Sequence, residues 1–212
     1  MSPIPTDTRN RWRNRTELDS GKGTVYWHIL FGQCMAVRAT ARKVQAQLTS
    51  FPGFHMTPEK WLHATALVAG TTDEITSGEL ELMLSEAKQS LSRVQPINVT
   101  IDKVLYHPEA IMLGFTAERA LDPIHTAVRR ATQVVTGRVG AVTGPSAQWI
   151  PHVTISYSTA EQPLAPIVAA LGREVPRCDV TVDAVSLVIQ WGPERLWEWQ
   201  PIGVANLGGP VN

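Results

Sequence analysis

The chain has 212 residues, 43% apolar and 18% charged, an ordinary globular composition with room for one sizeable core. Nineteen basic and nineteen acidic side chains cancel, which argues against a track for long nucleic acid and favours a short or small anionic ligand. No run reaches the roughly 18 apolar residues of a membrane span, and no signal-like N-terminus is present, so a cytoplasmic protein is expected. Two cysteines, Cys34 and Cys178, form neither a metal cluster nor a disulfide framework and read as small buried hydrophobes.

Residues 1–23 read as an N-terminal arm. Its RNRWRNR stretch, Arg9 to Arg15, is expected as a solvated segment, the alternative being contact with phosphates and a base. TVYWHILF from Thr24 reads as a buried strand, followed by a helix with Val37, Ala41, Val44 and Leu48 on one face. WLHATALVA is a second strand. Thr76 and Glu79 have capping-box spacing ahead of a helix bearing Leu80, Met83, Leu84, Ala87 and Leu91. INVTIDKVLY is a third strand.

The order then repeats. AIMLGFTA from Ala110 is a strand, and Asp122 and Pro123 open a helix with Ile124, Ala127, Val128, Ala131 and Val135 on its face. The loop TGRVGAVTGPSAQ leads to WIPHVTISYS. Thr159 and Gln162 repeat the capping-box spacing before Leu164, Ile167, Val168 and Leu171, and DVTVDAVSLVIQW reads as one strand. RLWEWQPIGVANLG closes the chain. Two halves of like organisation, about 24–106 and 110–190, with a closing strand at 195–204, imply an α+β fold. It is expected to be bilobal and pseudo-twofold, with two mostly antiparallel sheets, helices on their outer faces and a central cleft.

Three copies of His-x-Thr occur: HMT at His55, HAT at His63 and HVT at His152. With six histidines, about one such match is expected by accident, so context decides. In a strand, residues i and i+2 share a face, so His63 and Thr65 project together, as do His152 and Thr154. HMT runs into Pro58 and reads as turn chemistry, with His55 a loop or surface residue. His28 reads as a core or cleft-edge histidine, His107 as a hairpin-turn residue and His125 as a solvated first-turn residue. There is no HExxH and no CxxC, so neither a metal nor another cofactor is expected.

Two imidazoles on opposite walls of a cleft suit in-line displacement at phosphorus. One takes a proton from the nucleophile while the other protonates the leaving oxygen. Thr65 and Thr154 would donate to the non-bridging oxygens. The bland alternative is two buried histidines bonded to neighbouring threonines; their matching positions in two similar halves favour function.

With these motifs, the sequence resembles the 2H phosphoesterase superfamily, which includes 2′-5′ RNA ligase-like proteins and cyclic nucleotide phosphodiesterases. WLHATALVAG matches its first motif through Leu62, His63, Thr65 and Gly70, and PHVTISYS its second through Pro151, His152 and Thr154. The resemblance implies that His63 and His152 are the acid/base pair and that Thr65 and Thr154 hold phosphate. It implies a nucleotide or short RNA partner carrying a phosphodiester, such as a 2′,3′-cyclic phosphate or a 2′-5′ linkage, with no membrane and no obligatory protein partner. Two departures favour a small nucleotide over an RNA end: Tyr157 stands where many members carry a basic residue, and Leu67 where a lysine is often seen. Tyr157 and Trp149 are the candidate substrate-binding aromatics. A nucleotide- or RNA-binding module with weak or no catalysis, or scaffold use of the fold, is the competing reading.

Overall fold

The computed structural model describes residues 4–13, 15, 19, 21–142 and 149–208; parts of the arm and residues 143–148 of the TGRVGAVTGPSAQ loop lie outside the described residues. In chain order the first half comprises β1 (Asp7–Thr8), β2 (Gly23–Leu30), α1 (Met35–Leu48), β3 (Phe54–Met56), β4 (His63–Thr71), α2 (Ser77–Leu91) and β5 (Ile97–His107). The second comprises β6 (Ala110–Thr116), α3 (Asp122–Thr136), β7 (His152–Ser158), β8 (Gln162–Pro163), α4 (Ala165–Leu171), β9 (Glu174–Val182), β10 (Ala184–Trp191) and β11 (Trp199–Asn206). Among the described residues no helix is long and apolar enough to cross a membrane.

Two antiparallel sheets carry the fold, with strand orders β11-β10-β2-β4 and β3-β7-β6-β5-β9; β1 and β8 form a separate two-stranded ribbon. The sheets do not coincide with the sequence halves. β5, which ends the first half, pairs with β6 in the second sheet, and β10, near the end of the second half, pairs with β2 in the first. Each half thus lends two strands to the other sheet, β3 and β5 from the first and β10 and β11 from the second, and the two lobes interlock. A pseudo-twofold relates β4 to β7, β2 to β6, β10 to β5 and β11 to β9. The stretch DVTVDAVSLVIQW, expected as one strand, breaks at Asp183 because β9 and β10 belong to different sheets.

Alternation in β2 explains its continuous apolar run. Val25, Trp27 and Ile29 point into the main core, while Thr24, Tyr26 and His28 point to the opposite face. α2 and α3 pack behind the first sheet against β11 and β4, and α1, with α4 beside it, packs against β9 and β7. Thr76 and Glu79 form the expected capping box. Thr159 and Gln162 do not: Gln162 pairs with β1, its side-chain amide donates to the Pro52 carbonyl, and α4 starts later. Asp122 is the first residue of α3 rather than its cap, because a 3-10 turn over Glu118–Leu121 leads directly into the helix.

Candidate active site

Each His-x-Thr pair lies at the start of its strand, and the local structure holds it by matching devices. Phe31 N donates to Leu62 O at 2.8 Å just before β4. Gly32 permits this approach, since a Cβ there would lie 2.1 Å from the Lys60 carbonyl oxygen. The Glu59–Trp61 turn is held by α1, whose Arg38 and Arg42 each reach Glu59 at 2.7 Å. These guanidinium groups hold the Glu59 carboxyl down to about 2.

His63 Nδ1 lies 2.7 Å from Trp61 O, and His152 Nδ1 lies 2.8 Å from Ile150 O. A carbonyl can only accept, so both Nδ1 atoms carry the hydrogen and Nε2 is left as the basic atom of each neutral ring. Thr65 pairs with His28 across β2, and Thr154 pairs with Met112 across β6. A bulge follows each threonine: the register shifts with Ala66 extra in β4 and Ile155 extra in β7. Both bulge carbonyls find a helix side chain. His125 Nδ1 of α3 donates to Ala66 O at 2.8 Å, and Gln45 Nε2 of α1 donates to Ile155 O at 2.8 Å. His125 is therefore on the first turn of its helix, as expected, but works as a strand-edge donor rather than a solvated group.

The bulges decide which later residues reach the cleft. After one extra residue, Tyr157, three past Thr154, returns to the cleft face beside Thr154, whereas Leu67, two past Thr65, points into the core and is 1% exposed. Leu67 thus gives no information about the ligand; its counterpart at the cleft is Val68, which pairs with Tyr26.

Burial sets the titration. Desolvation pushes His63 down to about 4, against the raising effect of the Trp61 hydrogen bond and with His152 adding to the depression. His152 is lowered for the same first reason, with His107 and Arg11 contributing. The two rings are close enough for His152 to depress His63. Burial pushes the Tyr157 hydroxyl up to about 12, with Arg11 opposing.

The arm does not lie in solvent. Arg11 sits with its guanidinium carbon 4.3 Å from the centre of the Tyr157 ring, and its side chain is 14% exposed. Its Nε and Nη2 bond Glu194, the former at 3.0 Å, and its Nη1 reaches Glu109 at 3.3 Å. Glu109 belongs to the β5–β6 turn and Glu194 to the turn between β10 and β11, so the arm ties the two sheets together across the cleft mouth. The solvated reading failed because both carboxylates are distant in sequence.

The family model described as "2′-5′ RNA ligase superfamily" matches residues 35–193 of the chain. The chain belongs to this superfamily. Among solved structures, TT0787 of Thermus thermophilus superposes with TM-score 0.67 at 19% identity, covering 88% of this chain and 98% of that one. Escherichia coli LigT in apo form gives 0.65 at 14% identity, covering 89% and 99%. LigT complexed with 3′-AMP gives 0.67 at 14%, with the same coverage. No curated protein matches the chain by sequence.

Several cleft residues of this 2′-5′ RNA ligase superfamily member were not assigned to the site from sequence, although His28 reads there as a core or cleft-edge histidine. His28 is 1% exposed, its ring centre lies 4.2 Å from that of His63, and neither ring nitrogen has a hydrogen-bond partner. Trp199 stands edge-on to both rings, at 4.8 Å from His63 and 5.2 Å from His28. His55 is on β3 opposite Tyr157, not in a loop; it stacks on Trp197 at 5.1 Å with planes 2° apart. Trp197 takes a left-handed backbone, φ 50°, a strained choice for a bulky residue, and its indole lies against Tyr157 as well. Trp149, by contrast, belongs to the main core. Its Nε1 donates to Thr65 O at 2.9 Å, and His125 covers its ring at 4.7 Å; among the described residues β4 is the edge strand of its sheet, and its outer carbonyls need donors. Alternation in β2 was the signal that could have placed His28 on the cleft face.

His28, His63 and His152 make stability pH-dependent. Desolvation lowers all three, so the unfolded chain binds their protons near pH 6.5 while the folded chain resists until lower pH, about 4 for His63. The unfolded state holds more protons in that window, so stability is full above about pH 6.5 and falls as pH drops through it. The melting temperature is expected to fall between about pH 7 and about pH 4.5. A flat melting temperature across that interval would contradict the neutral burial of these rings.

Proposed function

We propose that the chain is a phosphodiesterase acting on a 2′,3′-cyclic phosphate, or on a small or 2′-5′-linked nucleotide, by two-histidine general acid/base catalysis. One observation carries this reading: His63 and His152 occupy pseudo-equivalent sites, each with Nδ1 fixed by a carbonyl two residues before it. Both rings thereby hold Nε2 ready to exchange a proton. Membership of the superfamily supports the reaction class, and solved structures of LigT with 3′-AMP, ATP and NADP+ support a nucleotide-sized ligand.

For a cyclic phosphate, the water oxygen bonds to phosphorus as the bond to one ribose oxygen breaks. His63 Nε2, in the neutral ring, takes the proton from water, and His152, in its protonated form, gives its Nε2 proton to the departing oxygen. The depressed pKa of His63 suits the base role, since it stays neutral at physiological pH. Thr65 and Thr154 donate to the non-bridging oxygens, and Tyr157 flanks the second threonine. No step needs a metal. Trp149 serves this site by holding the edge of β4, not by stacking on a base.

The test is turnover, with EDTA present, of a panel of cyclic phosphates and 2′-5′ and 3′-5′ dinucleotides. On the best of these, kcat/KM should fall at low pH as His63 protonates near 4, and at high pH as His152 loses its proton below its usual 6.5. The maximum is expected on the acid side of about pH 6.5, and an optimum well above neutrality would contradict the depression of both rings by burial. A second reading, a nucleotide-binding protein with little catalysis, draws support from the aromatic cluster of Trp12, Tyr157, Trp197 and Trp199 that packs the cleft. Tight binding of an unprocessed cyclic nucleotide on long incubation would favour it.

A further inference from the structure

A phosphodiester is an anion, and the strands that line the cleft offer it no permanent charge. β2, β3, β4, β6, β7, β10 and β11 contain neither lysine nor arginine. Their polar groups at the site are threonine hydroxyls and imidazoles whose charged form burial disfavours. Two rim cations, Lys60 and Arg195, are exposed and screened by solvent. A cleft whose own strands hold no permanent cation binds an anion weakly unless one arrives from elsewhere.

We propose that Arg11, carried by the N-terminal arm, is the phosphate-binding cation of this cleft. The inference rests on the phosphodiester reading and deepens it. Arg11 lies on the Tyr157 ring, beside the second His-x-Thr pair, and its charge is felt at His152. Burial disfavours its charge, yet Tyr157, Glu194 and Glu109 outweigh this and push its pKa above the ordinary value. Its carboxylate partners are not its own. Arg15 also reaches Glu109 at 3.5 Å and Glu194 at 3.4 Å, and Arg9 reaches Glu109 at 3.7 Å. Arg9, Arg11 and Arg15 against Glu109 and Glu194 is three positive charges to two negative. An entering phosphate can therefore take Arg11 while Arg9 and Arg15 still neutralise both carboxylates. The planar fork of arginine suits this exchange, since one face stays on Tyr157 while the N–H groups turn from carboxylate to phosphate.

Calorimetric titration of 3′-AMP and of inorganic phosphate into the full chain tests this without requiring turnover. Arg11→Gln should weaken 3′-AMP binding about tenfold or more, with Arg11→Lys between it and wild type. Glu109→Gln should tighten binding, because it removes a competitor for Arg11 and a like charge beside the phosphate. If Arg11 merely latches the arm over the cleft, the signs invert: Arg11→Gln would bind as tightly or more tightly, and that outcome overturns the proposal. So would wild-type protein that binds neither probe at millimolar concentration. Circular dichroism checks folding. If Arg11→Gln does not fold, Glu109→Gln decides by its sign, tighter binding supporting the proposal and unchanged or weaker binding overturning it. Turnover in His63→Ala is scored separately, so a failure of the two-histidine mechanism leaves the binding result standing.

Discussion

His63→Ala is expected to lower kcat on the best cyclic or 2′-5′-linked substrate by about 10²–10⁴-fold, and His152→Ala by a similar factor. In the proposed mechanism each removes one proton transfer from a step that needs both. The loss should appear in kcat more than in KM, because the ground-state diester makes no proton transfer to either ring. The double variant should cost less than the product of the single losses, since one missing transfer already disables the concerted displacement. His55→Ala is the internal control. It carries the third His-x-Thr copy, but its Nε2 contacts Arg195 O at 3.2 Å and its ring is covered by Trp197. Its loss should alter KM through the cleft mouth and leave the chemistry intact. A single His63 or His152 variant with wild-type turnover would end the two-histidine reading.

Trp27→Ala should destabilise the fold by about 3–5 kcal/mol, a large share of the roughly 5–15 kcal/mol by which a domain is stable. Trp27 is fully buried, and its Nε1 donates to Thr132 Oγ1 at 3.2 Å, joining β2 to α3. Thr132 passes its own hydrogen on to Val128 O at 2.9 Å, so the buried hydroxyl is satisfied in both roles. Alanine leaves a cavity and takes away the donor together. Trp27→Phe keeps most of the volume and should cost about 1–2 kcal/mol, for the lost hydrogen bond. Both follow from urea unfolding. Because Trp27 faces the core while its neighbours Tyr26 and His28 face the cleft, Trp27→Phe should retain substrate affinity. A cost below about 1 kcal/mol for alanine would mean the β2–α3 seam repacks without it.

Sequence reasoning read the local structure well and the non-local structure poorly. Period and capping found β2, α1, α2 and β5 within a few residues, because the signals lie inside the element. The strand exchange was invisible, since β-pairing partners leave no mark on a strand's own alternation. DVTVDAVSLVIQW has no glycine or proline at Asp183 to announce a change of sheet. The two motif histidines were legible as strand positions, but the carbonyls that fix their tautomers were not. Arg11 was misread for a related reason: its partners Glu109 and Glu194 are 98 and 183 residues away. Trp149 stands beside the second motif in sequence, yet its neighbour in space is the first one.

The paired bulges carry a consequence for how the site tolerates change in chain length. Ala66 and Ile155 each take up one residue without a partner, and everything after them keeps its face only while that residue is present. Deleting either would turn Val68 or Tyr157 away from the ligand and bring a core side chain out in its place. A one-residue insertion beside them would do the same. Substitutions in these strands therefore change single contacts, but single-residue indels exchange one whole wall of the cleft for its hydrophobic reverse. Ala66 and Ile155 act as the frame markers from which Val68 and Tyr157 are counted.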